Sequence, residues 1–133
     1  MTEYTDRTVA IRGLVAAILA AAVNAGIVAV ARAVDVAPGF EPLSYPPTVF
    51  LTVLTAIAAT FVFAAVRRLS TNPRRTFVRV AVVALVLSLL PDVLLLQVDS
   101  AATLAGVIVL MVMHVVAAAV DVRVLTRGVG DVV

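Results

Sequence analysis

Between Thr48 and Val66 the chain runs without one charged residue, and three other stretches come close to matching it. A helix that crosses a ~30 Å hydrocarbon layer needs about 20 mostly apolar residues. Gly13–Ala31 meets that length, interrupted only by Asn24, and Phe77–Leu96 and Ala101–Val120 meet it as well. The chain has 133 residues, 63% of them hydrophobic and 14% charged. A water-soluble domain is roughly half apolar and a quarter charged, and a small one buries the lesser share of its surface. Lipid is the solvent that such a composition demands. The apolar segments show no two-residue alternation, so helices are expected rather than strands.

The third segment carries Arg79, Pro91 and Asp92 and needs an energetic argument. Its fourteen Leu, Val and Phe residues between Phe77 and Leu96 contribute roughly −4 to −8 kcal/mol to insertion. Asp92 costs about 3 kcal/mol at the bilayer centre and less towards the outer end, while Arg79 can snorkel to the inner interface. Insertion wins. The expected fold is therefore all-α, a polytopic membrane four-helix bundle forming one domain, with helices at about 11–32, 48–68, 73–96 and 100–124.

Orientation follows from the arginines, which are the only basic side chains apart from one histidine. Arg67, Arg68, Arg74 and Arg75 crowd the second turn, Arg7 and Arg12 precede the first span, and Arg123 and Arg127 follow the last. The loops at 32–47 and 97–100 hold only Arg32, against Asp35, Glu41 and Asp99. The positive-inside rule predicts N-in/C-in insertion in the cell membrane, with both termini cytoplasmic. The same four clustered arginines can contact anionic lipid headgroups at ~1 kcal/mol each. A net charge of only +2 gives no reason to invoke nucleic acid. Ala31-Arg32-Ala33 resembles a signal-peptide cleavage site, but the apolar run before it exceeds the usual 7–15 residues of such a leader.

Local signals refine the picture. Asn72-Pro73 predicts an N-cap and a first-turn proline for the third helix, and Asp99 or Ser100 is expected to cap the fourth. Pro38, Pro42, Pro46 and Pro47, with Phe40 and Tyr45, predict a stiff cover with aromatics at the interface. The tail from Gly128 to Val133 is expected to fray.

Four polar residues lie where lipid alone would not place them: Asn24, Ser88, Asp92 and His114. His114 shares a helical stripe with Thr103, Val107, Leu110, Ala117 and Asp121 and is expected in the inner half of its helix. It suits a proton relay or ligand contact, or simply an interhelical hydrogen bond. Asp92 follows Pro91, which frees the Leu87 carbonyl; Ser88 is a local hydroxyl able to compensate it, and a broken turn there would line a small vestibule. The plainer alternative has Asp92 marking where the helix meets the headgroups. Asn24, above Ala16 and Ala20, fits packing glue worth ~0.6–2 kcal/mol. Thr48, Thr52, Thr55 and Ala59 outline a packing seam, and Asp121 beside Arg123 reads as an interfacial charge.

Cysteine is absent, which excludes disulfides and thiolate chemistry. One histidine cannot supply bis-His haem ligation, and pairing it with Met111 or Met113 is a weak substitute. No metal cluster, GxSxG or phosphate loop occurs. Ser88, His114 and Asp92 make a catalytic set on paper only, because Ser88 is expected on the outer side and His114 on the inner. No cofactor, metal or catalytic residue is expected.

These residues together resemble a family of small four-helix prokaryotic membrane proteins known only as a domain of unknown function. The likeness rests on the Ala-rich first helix with Asn24, on Pro73-Arg74-Arg75-Thr76-Phe77, on Ser88-Leu89-Leu90-Pro91 and on Met113-His114. It implies the four-helix topology and no particular activity. The expected function is a non-enzymatic structural or interaction bundle in the lipid bilayer, alone, as a homo-oligomer or in a larger complex. The alternative is a small oligomeric ion- or proton-coupled transport unit using His114 and Asp92.

Overall fold

A computed structural model describes residues 4–129. It contains four long helices, α1 (Asp6–Ala33), α2 (Tyr45–Leu69), α3 (Pro73–Val98) and α4 (Leu104–Thr126), and a short 3-10 turn at Glu41–Leu43. Among the described residues there is no strand. All four helices are long and apolar enough to cross a membrane. Large apolar side chains such as Leu14, Phe50, Phe61, Leu87 and Ile108 cover the outside of the helices. A surface of that kind is suited to lipid and not to water.

Helix limits follow from caps rather than from hydropathy. α1 starts at Asp6, five residues before the expected limit, because the Thr5 side chain accepts from the Thr8 N–H at 3.2 Å. α2 starts at Tyr45, since Pro46 and Pro47 occupy a first turn that needs no N–H donors. Asn72 caps α3 as its sequence predicts, accepting from the Arg75 N–H at 3.3 Å. The expected cap of α4 is wrong. Asp99 Oδ1 instead accepts from the Ala101 N–H within the connecting turn, and Thr103 caps α4 through the Gly106 N–H at 3.0 Å.

α1 packs against α2 and α4, α3 packs against α4 and more thinly against α2, and among the described residues the backbones of α1 and α3 do not come close. Two apolar clusters separate along the helices. At the end holding both termini, Val9, Phe63, Phe77 and Leu125 are fully buried, and the Phe63 and Phe77 rings meet edge-to-face at 5.0 Å. At the opposite, connector end, Val28, Val107, Leu110 and Met113 pack against Phe40 and Leu43 from the connector itself. Phe40 was expected at the lipid interface; it is buried because the 3-10 turn folds it inward onto α4, where Gly106 leaves room.

Polar ties close the termini end. Asp6 pairs with Arg67 and with Arg68, the latter at 2.7 Å. The Tyr4 hydroxyl donates to the Leu125 carbonyl, and Arg12 donates to the Arg127 carbonyl and stacks 4.5 Å over the Tyr4 ring. These donors satisfy carbonyls that the end of α4 would otherwise leave bare. Burial holds the Tyr4 phenol above its ordinary pKa despite the Arg12 guanidinium, so it remains a donor at neutral pH. Gly128 takes φ +79° just past α4. Of the tail expected to fray, 130–133 lie outside the described residues.

A polar cleft between the helices

α3 runs through Pro91 as continuous helix to Val98, so the expected broken turn does not form. The Ser88 hydroxyl does not serve the Leu87 carbonyl either; it donates to Leu85 at 2.6 Å. Asp92 is 6% exposed and faces the neighbouring helices, so it does not mark the headgroup level.

The main correction concerns depth. With a rise of ~1.5 Å per residue, Asp92 lies about 9 Å below the connector end of α3 and Ser88 about 15 Å below it. α4 extends from Leu104 to Thr126, which puts His114 near its middle, also about 15 Å below its connector end. Ser88 and His114 therefore share a level, and Asp92 sits only about one turn above them. His114 Nδ1 lies 3.0 Å from Asp92 Oδ2 and 2.9 Å from the Leu110 carbonyl oxygen. Both neighbours accept, so Nδ1 carries the hydrogen. It is directed to the Leu110 carbonyl, and Asp92 Oδ2 lies beside it without a directed hydrogen bond.

Asn24 approaches from α1. Its Nδ2 donates to Thr52 Oγ1 at 3.1 Å and to the Met113 carbonyl at 3.4 Å, tying three helices at one point. The Met113 carbonyl fixes which way the amide faces, because only the NH2 side can meet it. Ala16 and Ala20 below it are fully buried, which lets α1 approach this closely. Of the threonine seam on α2, Thr48 and Thr52 are buried and continue into Ala56 and Phe63, whereas Thr55 is exposed.

Asn24, Ser88, Asp92 and His114 all line one cleft of about 650 Å³. α2 contributes Thr48, Thr52 and Thr55, and α3 contributes Pro91 and Leu95. Glu41, Pro42 and Asp99 lie at its connector end. Glu41, Asp99 and Thr52 were not singled out from sequence as site residues. The only signals available were the acidic bias of the connectors and the threonine spacing of α2. The cleft ends near Thr55 and Ala117, and beyond that level the aromatic cluster fills the interior.

The remaining sequence candidates lie elsewhere. Arg67, Arg68, Arg74 and Arg75 gather at the termini end, far from the cleft, with Arg67 and Arg68 engaged by Asp6. Asp121, expected as an interfacial charge, is buried on α4, because the helix continues more than a turn beyond it. Among the described residues no group of His, Cys, Asp and Glu is placed to hold a metal ion.

In comparison with known proteins, the model of a family described as "Family of unknown function (DUF6069)" matches residues 4–131, nearly the whole chain. No curated protein and no solved structure shows significant similarity.

Proposed function

Since the chain belongs to DUF6069, a family of unknown function, we propose a function from the cleft itself: a non-enzymatic membrane protein that binds a small ligand between its helices. The observation that carries this is the convergence of Asn24, Asp92 and His114 from three helices on one cavity. Its volume falls within the ~300–1,000 Å³ of ordinary small-molecule sites. Ionisable groups within a span are expensive in lipid and call for a functional reason. Catalysis is less well supported, because the Ser88 hydroxyl is turned to a backbone carbonyl and no nucleophile–base contact is made. The arginine distribution supports insertion in the cell membrane with both termini cytoplasmic, so that the cleft opens towards the outer side. α3, the least buried helix, offers a face for a second copy or a larger complex.

The test uses the absence of cysteine. Thr55→Cys places a thiol in the cleft, and Leu54→Cys places one at the same depth on the lipid face. A water-borne thiosulfonate reagent is expected to modify the first in intact proteoliposomes and to leave the second unmodified. Equal protection of both would mean that the cleft is closed to water and would count against the proposal.

The 3.0 Å contact between Asp92 and His114 favours proton-coupled transport as a second reading. It requires a passage through the aromatic cluster at the termini end. Protein-dependent dissipation of a pH gradient, lost in His114→Ala, would put transport first; no flux from the parent protein would leave binding.

A further inference from the structure

The cleft's hydrogen-bonding groups are unbalanced, and the imbalance names a ligand class. Most of its donors are spent internally, the Thr52 hydroxyl hydrogen being the exception among the described residues. Both Asn24 amide hydrogens are used, on Thr52 and Met113. Thr48 donates to the Pro42 carbonyl, Thr55 to Thr52 and Ser88 to Leu85. The His114 Nδ1 hydrogen goes to Leu110. Acceptors, by contrast, are left over. Asn24 Oδ1, on a residue 3% exposed, has no hydrogen-bond partner among the described residues, and Asp92 Oδ2 has no directed one. A buried acceptor without a donor is costly, and these two belong to residues that line the cleft.

Charge points the same way. Three carboxylates line the cleft, Glu41, Asp92 and Asp99, with His114 as the one residue able to carry positive charge. The walls around them are otherwise apolar, with Leu51, Leu95, Leu110 and Met113 among them. A fitting occupant brings hydrogen-bond donors and positive charge at one end and hydrocarbon at the other.

We propose that the cleft binds an amphiphilic organic ammonium, its cationic head donating to Asp92 and Asn24 and its apolar body lying between α2 and α3. The assignment rests on the binding reading above and adds the chemistry of the ligand. An ammonium group has three donors and no acceptor, and it meets a carboxylate as a charge-assisted pair. A carboxylate ligand would meet three like charges, and an alcohol would supply one donor where at least two acceptors are bare.

Three six-carbon probes separate the possibilities: hexylamine, hexanol and hexanoate, titrated at neutral pH into protein in lipid nanodiscs. His114 is the only histidine, so its imidazole 15N signal is unambiguous and reports occupancy directly. Hexylammonium is expected to shift that signal with an apparent Kd at least tenfold below that of hexanol, and hexanoate to leave it unmoved. Asp92→Asn is expected to erase the preference for the amine. Thr55→Leu, which narrows the cleft at an exposed position, is expected to weaken hexylammonium and hexanol alike. Equal binding of hexanol and hexylamine, or an amine preference that survives Asp92→Asn, would overturn the ammonium assignment and leave a binding cleft. No shift with any of the three probes would overturn both the assignment and the binding reading. Binding unaffected by Thr55→Leu would place the ligand outside the cleft.

Discussion

Gly13→Ala is expected to force α1 away from α2 and to destabilise the protein by about 1–3 kcal/mol, the usual cost of overpacking a tight contact. A Cβ at position 13 would overlap Thr60, lying 2.6 Å from Cγ2 and 2.9 Å from Cβ and still closer to Oγ1. Alanine is ordinarily the better helix former by about 1 kcal/mol, so a loss of stability would have to come from the interhelical contact alone. Thr60 has little freedom to yield, because its hydroxyl donates to the Ala56 carbonyl at 2.7 Å. Denaturation in mixed detergent gives the magnitude. Pairing the change with Thr60→Ala is expected to recover part of the loss by removing two of the three overlapping atoms. Gly13→Ala with full stability would show that α1 and α2 are farther apart than described.

Phe63→Ala is expected to cost about 3 kcal/mol, while Phe61→Ala costs almost nothing. The two residues lie on the same helix two positions apart, but Phe63 is fully buried and Phe61 is 73% exposed. In a membrane the usual transfer gain of burying a ring is small, because lipid is as apolar as the interior. What remains is packing. A cavity of roughly 100 Å³ at ~24 cal/mol per Å³ comes to about 2.4 kcal/mol. Loss of edge-to-face contact with Phe77 adds ~0.5–1.5 kcal/mol. The aromatic cluster also closes the cleft at its termini end, so its loss is expected to loosen that barrier as well. Equal effects of the two substitutions would mean that Phe63 faces lipid.

The parts of this fold that local chemistry controls could be read from the chain. Long apolar stretches gave four spans, Asn72-Pro73 marked the start of α3, and the resemblance carried by Met113-His114 and its companion segments agrees with the family match over residues 4–131. Other features depended on how one helix is set against another. The expected depth of His114 came from a span ending at Val120, whereas α4 continues to Thr126. On α4 as it stands the histidine lies near mid-helix, 3.0 Å from Asp92. Phe40 and Tyr45 looked equivalent as interfacial aromatics, yet the 3-10 turn buries one and leaves the other beside Arg32. Tyr4 and Arg12 tie α1 to the end of α4 across more than a hundred residues, a contact with no sequence signal. Thr55 fits the periodic seam of α2, but the thin contact between α2 and α3 leaves it lining the cleft instead.

The most direct test of the account is the 15N spectrum of the single imidazole in nanodiscs, recorded for the parent protein, Asp92→Asn and Asp121→Asn. The geometry predicts that neutral His114 carries its hydrogen on Nδ1, that Asp92→Asn shifts the ring nitrogens, and that Asp121→Asn, two turns along α4, leaves them in place. A ring protonated on Nε2 and indifferent to Asp92 would contradict the meeting of α3 and α4 on which the cleft depends.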